Sequence, residues 1–159
     1  MSNDLELTTH SPEETQRLGR LLGEAAQPGD VFLLLGPLGA GKTSLTQGIA
    51  WGLGVKEHAR SPTFVLMTRY KGRLTIYHVD LFRVEGALEA ADLGLEEYLG
   101  GDGVCVIEWA DRATELFEDR GLWIGLDYGK TDSERVIRMA AQDSRHQTLL
   151  DAIANQVKA

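Results

Sequence analysis

The chain has 159 residues, of which 43% are hydrophobic and 25% charged, a size and balance that fit one globular domain spanning 1–159. Its formal net charge of −8 argues against a broad electrostatic grip on nucleic acid, and its one cysteine, Cys105, excludes a disulfide within the chain. The acidic N-terminus lacks the features of a signal peptide and no apolar run approaches the ~20 residues that span a bilayer, so we expect a cytoplasmic protein.

The first predicted helix begins after Ser11, whose hydroxyl suits an N-cap and which is followed by a proline and two acidic residues. Apolar residues then recur at helical spacing from Leu18 to Ala25. A turn at 28–30 leads into the apolar run 31–35, which predicts a strand buried on both faces.

Residues 36–43, GPLGAGKT, follow this strand and match the phosphate-binding P-loop pattern G-x-x-x-x-G-K-[ST]. Glycines allow backbone N–H groups to approach an anion closely, and a helix that begins at the end of the loop adds the positive end of its dipole. The lysine can reach the β- and γ-phosphates, and the threonine hydroxyl can ligate Mg²⁺. We therefore predict that the phosphates of a nucleotide bind at Gly39, Ala40, Gly41, Lys42, Thr43 and Ser44.

The rest of the chain alternates between apolar runs typical of strands and segments with helical spacing. Helices are predicted directly after the P-loop, at 88–99 with an interruption near Gly94, and at 148–157. Strands are predicted at 65–70, 74–79, 104–107, 122–126 and 136–140. Lys71-Gly72 indicates a hairpin turn, which makes the sheet mixed. The pattern predicts an α/β, P-loop NTPase-like three-layer fold with a mixed, mainly parallel central sheet flanked by helices.

Two acidic residues follow predicted strands, where a P-loop enzyme needs a carboxylate for Mg²⁺. Glu108 ends the more apolar strand and is the first candidate for the Mg²⁺ shell. Asp80 ends another strand and could support Mg²⁺ indirectly or orient the attacking water. Both could face Lys42, because ligands bind at the carboxyl ends of strands in such sheets. The alternative for either acid is a solvated cap or turn.

Two further residues have competing interpretations. Thr63 lies in a Ser-Pro-Thr segment between the P-loop helix and the next strand, where a loop that senses the γ-phosphate would lie. Spacing alone favours an ordinary turn there. His78 lies two residues before Asp80 on the same strand face, but a core or partner-facing role is the commoner one for such a histidine.

Several segments, taken together and in this order, resemble the bacterial TsaE family. They are GPLGAGKT at 36–43, SPTF at 61–64, YHVDLFR at 77–83, GLEEY at 94–98 and VIEWA at 106–110. The loop alone is common to many NTPases, whereas this combination in so short a chain is typical of few families. The resemblance extends from about Ser11 to Arg135.

The resemblance implies roles for individual residues. Lys42 would contact phosphate, Asp80 would be needed for hydrolysis, and Thr43 and Glu108 would ligate Mg²⁺. Thr63 matches the switch segment of the family. Ser11 and Arg135 would contact the adenine or ribose edge of the nucleotide.

The resemblance also implies ATP and Mg²⁺ as cofactors and the TsaB and TsaD proteins as partners. In that family, TsaD attaches threonylcarbamoyl to A37 of tRNAs that read codons beginning with A. TsaE would bind the TsaB–TsaD complex, use ATP hydrolysis to support turnover, and meet tRNA only through the complex.

Two other functions share the same motifs. A small-molecule kinase would need an acceptor pocket and usually an arginine-rich lid, but the chain has no arginine-dense helix. A non-hydrolytic module that changes conformation on binding ATP shares every motif with the ATPase, so only a test of hydrolysis separates the two.

Overall fold

The computed structural model describes residues 4–57 and 67–158. Within these residues, seven strands numbered β1 to β7 form one sheet: Leu5–Thr9, Val31–Leu35, Met67–Tyr70, Ile76–Asp80, Val104–Glu108, Leu122–Tyr128 and Arg135–Ala141. The α-helices of the same part of the chain, α1 to α4, are Pro12–Ala25, Lys42–Gly52, Ala87–Asp92 and Ser144–Lys158. Short 3₁₀ helices lie at Leu95–Glu97 and Ala110–Leu116.

The strand order is β1-β7-β6-β2-β5-β4-β3, and the four central strands β6, β2, β5 and β4 run parallel. The outer strands β7, β1 and β3 are antiparallel to their neighbours. Strands β2 and β5 are almost wholly buried, which explains their unbroken apolar sequences. The predicted α/β fold, with a mixed sheet that is parallel in its centre, is therefore confirmed.

Helices cover both faces of the sheet and complete three layers. On one face, α1, α2 and α4 pack through residues such as Leu22, Leu45 and Ile153. On the other face, α3 and the 3₁₀ helices pack through residues such as Ala90, Leu95 and Ala113. Each leucine or isoleucine side chain among them contributes about 1.5–3 kcal/mol when it is fully buried. None of the helices in the described part of the chain is long and apolar enough to cross a membrane.

The N-terminal segment differs from the expectation, since no strand is predicted there and Leu5–Thr9 forms β1. Leu5 and Leu7 pack against the core while Glu6 is exposed, an alternation too short to identify a strand by itself. Pairing with the distant strand β7 supplies the missing stabilisation.

Two other boundaries have local causes. Helix α4 begins before the predicted start at 148, because Asp143 accepts a hydrogen bond from the His146 N–H (2.8 Å) and caps the helix. The predicted interruption near Gly94 is confirmed: Gly94 has φ +78° and separates α3 from the first 3₁₀ helix. Of the strand predicted at 65–70, residues 65 and 66 lie outside the described part of the chain.

Candidate active site

The P-loop connects the end of β2 to the start of α2. Gly41, the residue before the helix, has φ +109°, a conformation that glycine adopts readily. Gly41 offers no side chain to cap α2, so the first N–H groups of the helix are left for another acceptor. The loop and the helix start thus have the geometry that the sequence motif predicts, and the binding of an anion there stays a prediction.

Lys42 is the buried cation of this loop. Its ammonium donates to the main-chain carbonyl of Gly36 and to that of Pro37 (3.2 Å), and it lies 3.8 Å from the ring centroid of Trp109. Burial lowers the pKa of Lys42, and the negative charges of Glu108 and Asp80 oppose that effect. The hydrogen bonds of the ammonium go to neutral carbonyl groups, and a phosphate oxygen could replace one of these acceptors.

Asp80 and Glu108 are the last residues of the adjacent parallel strands β4 and β5, and they are direct partners in the register of the two strands. Only 5% of Asp80 and 2% of Glu108 is accessible to solvent, so neither acid is solvated as the alternative of a cap or turn assumed. Asp80 accepts a hydrogen bond from the N–H of Phe82 (2.8 Å). The structure thus brings together the two acids that the sequence singles out.

A cavity of about 560 Å³ joins the P-loop to these acids. Its lining comprises Leu38, Gly39, Gly41, Lys42, Thr43, Ser44, Asp80, Phe82, Glu108 and Trp109. Thr43 is exposed, so its hydroxyl is accessible to a ligand. The donor set fits a Mg²⁺–nucleotide, because hydroxyl and carboxylate oxygens suit Mg²⁺ and backbone N–H groups suit phosphate.

A second cavity of about 290 Å³ lies on the other side of the P-loop. It shares Gly39, Gly41 and Ser44 with the first cavity and is completed by Pro12, Thr15, Asp132, Ser133 and Arg135. The P-loop therefore forms a common wall between the two spaces. An elongated ligand that contacts the loop could extend from one cavity into the other.

The structure places the other predicted site residues less directly. The side chain of Ser11 caps α1 by accepting from the Glu14 N–H (3.1 Å), and its neighbour Pro12, rather than Ser11, lines the second cavity. Ala40 is buried and its N–H donates to the carbonyl of Pro37 (3.2 Å). Thr63 lies outside the described residues. Their roles toward a nucleotide stay predictions.

Arg135 makes contacts that its position in the sequence does not predict. Its guanidinium donates to the carbonyl of Gly39 in the P-loop (3.2 Å) and to the carbonyls of Asp132 (2.7 Å) and Glu134 (2.8 Å). It also lies over the ring of Tyr128 at 5.1 Å. Arg135 thus lines the second cavity while also contacting the P-loop.

Three residues have site contacts that the sequence did not reveal. Tyr128 donates its hydroxyl to the P-loop carbonyl of Leu38, although nothing in its local sequence marks it. Trp109 stacks on Lys42 and has φ +58°, in the left-handed region that non-glycine residues rarely adopt. His78 lies in the core, and its Nε2 is 2.5 Å from Oε2 of Glu108. The sequence feature that could have indicated this contact is its position on the same strand face as Asp80.

Comparison with known proteins gives consistent matches over almost the whole chain. Residues 9–137 match the family model described as "Threonylcarbamoyl adenosine biosynthesis protein TsaE". The tRNA threonylcarbamoyladenosine biosynthesis protein TsaE of Bacillus subtilis is 41% identical over 151 residues, covering 94% of each chain. The protein of the same name from Haemophilus influenzae is 31% identical over 158 residues, which cover 94% of this chain and 98% of the Haemophilus protein. A crystal structure of YdiB from Bacillus subtilis matches with a TM-score of 0.85 at 36% identity, covering 98% and 97% of the two chains.

Proposed function

Since this chain belongs to the TsaE family of threonylcarbamoyladenosine biosynthesis proteins, we propose that it is a P-loop ATPase that supports this tRNA modification. The main support is one cavity that joins Lys42 and Thr43 of the P-loop to the strand-end acids Asp80 and Glu108. That combination is the one that phosphate binding and Mg²⁺-dependent hydrolysis require.

In this proposal, ATP binds with its phosphates on the P-loop N–H groups and beside the ammonium of Lys42. Thr43 and Glu108 would hold Mg²⁺, which supplies charge neutralisation for the phosphates when bound. Asp80 would orient the attacking water, since it is the carboxylate next to Glu108 at the carboxyl ends of the strands. Lys42 stabilises negative charge on the transferred phosphoryl group.

The nucleoside would occupy the second cavity, because that space shares the P-loop wall with the first one. Arg135 offers a polar group there, and Ser11 caps the helix that forms one side. Pro12 offers an apolar surface for a base. This arrangement accommodates the predicted contacts with the adenine or ribose edge.

The partners in this proposal are the TsaB and TsaD proteins, and the place of action is the cytoplasm. ATP hydrolysis by this chain would support repeated turnover of the TsaB–TsaD complex on A37 of tRNAs that read codons beginning with A. The net charge of −8 is consistent with tRNA contact through the complex rather than through a basic surface of this chain.

Reconstituted threonylcarbamoylation tests the proposal. Purified TsaB, TsaD, tRNA and the threonylcarbamoyl donor are combined with or without this chain and ATP, and modified tRNA per TsaD is counted. Several turnovers per TsaD are expected only when both are present. A chain that neither binds ATP nor changes the turnover number would contradict the proposal.

The variants Asp80→Ala and Glu108→Ala separate hydrolysis from a pure binding switch. We expect both to lower ATP hydrolysis and turnover together, by about 10²–10³-fold if the lost group acts in the transition state. Full tRNA modification without hydrolysis would instead favour the non-hydrolytic switch. Phosphate transfer to a metabolite rather than to water would favour the kinase.

A further inference from the structure

We infer that His78 is a positioning residue that orients the carboxylate of Glu108 in the Mg²⁺–nucleotide site, an inference that rests on the proposed function. His78 is fully buried on β4, and its Nε2 lies 2.5 Å from Oε2 of Glu108. Glu108 is 2% exposed and lines the cavity of the P-loop. The histidine therefore contacts the proposed Mg²⁺ ligand from within the core.

The chemistry of this contact fixes the hydrogen on the imidazole. A carboxylate that ligates Mg²⁺ is ionised and only accepts hydrogen bonds, so in the proposed site Nε2 of His78 is the donor to Glu108. In the neutral imidazole, Nδ1 then carries a lone pair and no hydrogen. With Oε2 engaged by His78, Oε1 is the oxygen of Glu108 that is left for a ligand.

The other nitrogen of the ring shows that packing alone does not account for a histidine here. Nδ1 of His78 has no hydrogen-bond partner among the described residues, although it is buried. Buried polar atoms are nearly always paired, and those that are not call for an explanation, of which a functional role is one and a bound water another. A buried aliphatic residue would fill the space without an unpaired atom, but it could not donate to Glu108.

The strand register explains why this position suits the role. Asp80 is the register partner of Glu108, and His78 lies on the same face of β4 one pleat earlier. Glu108 thus has Asp80 beside it at the cavity and His78 behind it. Carboxylates that ligate metals are commonly oriented in this way by a hydrogen-bonding neighbour, and loss of that neighbour typically reduces metal affinity or activity 10–100-fold.

His146 offers a matched comparison in the same chain. It is also buried and also bonds a carboxylate, Asp143, through Nδ1 (2.7 Å). Its Nε2, unlike Nδ1 of His78, is paired, because it accepts from the N–H of Val31 (3.0 Å). From α4, His146 contacts the first residue of β2, at the end of that strand opposite the P-loop. It is a histidine whose bonds account for it structurally.

Two substitutions test the inference by moving the donor. The side-chain amide of Gln reaches about as far as Nε2 of histidine, whereas that of Asn reaches only as far as Nδ1. The Mg²⁺ concentration that gives half-maximal ATP hydrolysis is the quantity to compare. For His78→Gln we expect it to lie within about threefold of the wild-type value, and for His78→Asn to be about 10–100-fold higher than the wild-type value. ATP binding without Mg²⁺, measured by calorimetry, should stay within about twofold of wild type in both variants.

His146→Gln and His146→Asn are the controls, and they should lower the thermal unfolding midpoint without changing the Mg²⁺ requirement. Nitrogen NMR of the free wild-type protein should show His78 with its hydrogen on Nε2. The opposite tautomer, or equal Mg²⁺ requirements in His78→Asn and wild type, would overturn the role of His78 while leaving ATP hydrolysis intact. A wild-type chain that binds no ATP would overturn the proposed function and this role with it.

Discussion

At the scale of single residues, Lys42 is a buried cation of the P-loop whose charge the free protein compensates only in part. The fold buries its ammonium and lowers its pKa, and within residues 4–57 and 67–158 its hydrogen-bond partners are the neutral carbonyls of Gly36 and Pro37. Burial disfavours this charge, and the nearby carboxylates Glu108 and Asp80 oppose that effect only in part, because the pKa is still lowered. The charge becomes useful only when an anion binds at the loop.

We therefore expect Lys42→Met to separate ATP affinity from stability. The methionine keeps a similar length and removes both the unfavourable burial of the charge and its attraction to Glu108 and Asp80, so the thermal unfolding midpoint should change little compared with ATP affinity. Affinity for ATP should fall at least about tenfold, since a charge-assisted hydrogen bond is worth about 1.5–3 kcal/mol. Calorimetry and thermal unfolding measure the two quantities, with the exposed Lys71→Met as control. Unchanged ATP affinity would contradict the role of Lys42.

Tyr128 and Arg135 hold the P-loop from outside. The Tyr128 hydroxyl donates to the carbonyl of Leu38, and the Arg135 guanidinium donates to that of Gly39. Both donors occupy carbonyl oxygens of the loop, and a loop in this conformation can direct its N–H groups toward the opposite side. Two residues far along the chain thus help to fix the conformation of the P-loop.

Tyr128→Phe removes only the hydroxyl and should weaken ATP binding about 2–10-fold, as expected for the loss of one hydrogen bond of about 0.5–1.5 kcal/mol. Calorimetric titration with ATP measures the change. Tyr98→Phe is the control, because the Tyr98 hydroxyl accepts from Arg69 (3.3 Å) and lines neither cavity of the site. Equal ATP affinities of Tyr128→Phe and wild type would show that the loop holds its conformation unaided.

At the scale of elements, α1 packs closely against α2, the helix that follows the P-loop. The two helices meet through glycines, Gly19 and Gly23 on α1 and Gly48 and Gly52 on α2. A Cβ at any of these positions would lie less than 3.0 Å from main-chain atoms of the other helix. Backbone atoms cannot move aside as a flexible side chain can, so the close approach depends on glycine.

Gly48→Ala should consequently destabilise the protein, although alanine is intrinsically the better helix former. The added methyl group would meet the carbonyl of Gln16, and we expect a loss of about 1–3 kcal/mol or more, typical of overpacking. Urea unfolding measures this loss. Gly86→Ala, where nothing lies within 4 Å of the added carbon, should change stability little. Equal stability of the two variants would contradict the close packing.

At the scale of the whole molecule, a polar network joins α4 to the ends of the central strands that lie opposite the P-loop. Asp143 accepts from the N–H of Gly121 at the start of β6 (3.0 Å), and His146 accepts from Val31 at the start of β2. Arg145 adds an ion pair with Asp30 (2.8 Å). The network holds the end of the chain against two central strands.

We expect this network to make the stability of the folded protein depend on pH in the acid range. Burial of Asp143 opposes its ionisation, but hydrogen bonds from the N–H groups of His146 and Gly121 and from the His146 imidazole outweigh burial, so the pKa of Asp143 is lowered. The unfolded pKa is about 3.9, so this stabilisation is complete above about pH 4–5 and is lost as the pH falls through the lower folded pKa. Asp143→Asn should therefore be less stable than wild type at pH 7.

Urea unfolding at neutral and acidic pH measures the difference. Between neutral pH and pH values below about 4, Asp143→Asn should lose less stability than wild type does, because it has no carboxylate to protonate there. The exposed Asp119→Asn should match wild type at both pH values. An Asp143→Asn variant that loses as much stability on acidification as wild type would contradict the lowered pKa.

The sequence by itself determined the features that depend on local order along the chain. The P-loop at 36–43 and its flanking strand and helix follow from glycine positions and apolar spacing, and the acids Asp80 and Glu108 were visible as strand ends. The segments that resemble the TsaE family were equally readable, and the family match at 9–137 confirmed that resemblance. Each of these signals lies within a few residues of sequence.

Only the tertiary structure decided which distant residues meet. The register of β4 and β5 makes Asp80 the neighbour of Glu108 and brings His78 to its carboxylate. The β6–β7 hairpin carries Tyr128 to the P-loop, and β1 exists because β7 offers it a partner. Periodicity specifies which face of a strand is buried, but it does not specify which strand lies beside it. Strand order follows from the packing of the whole chain, so the contacts that complete the site could not be predicted locally.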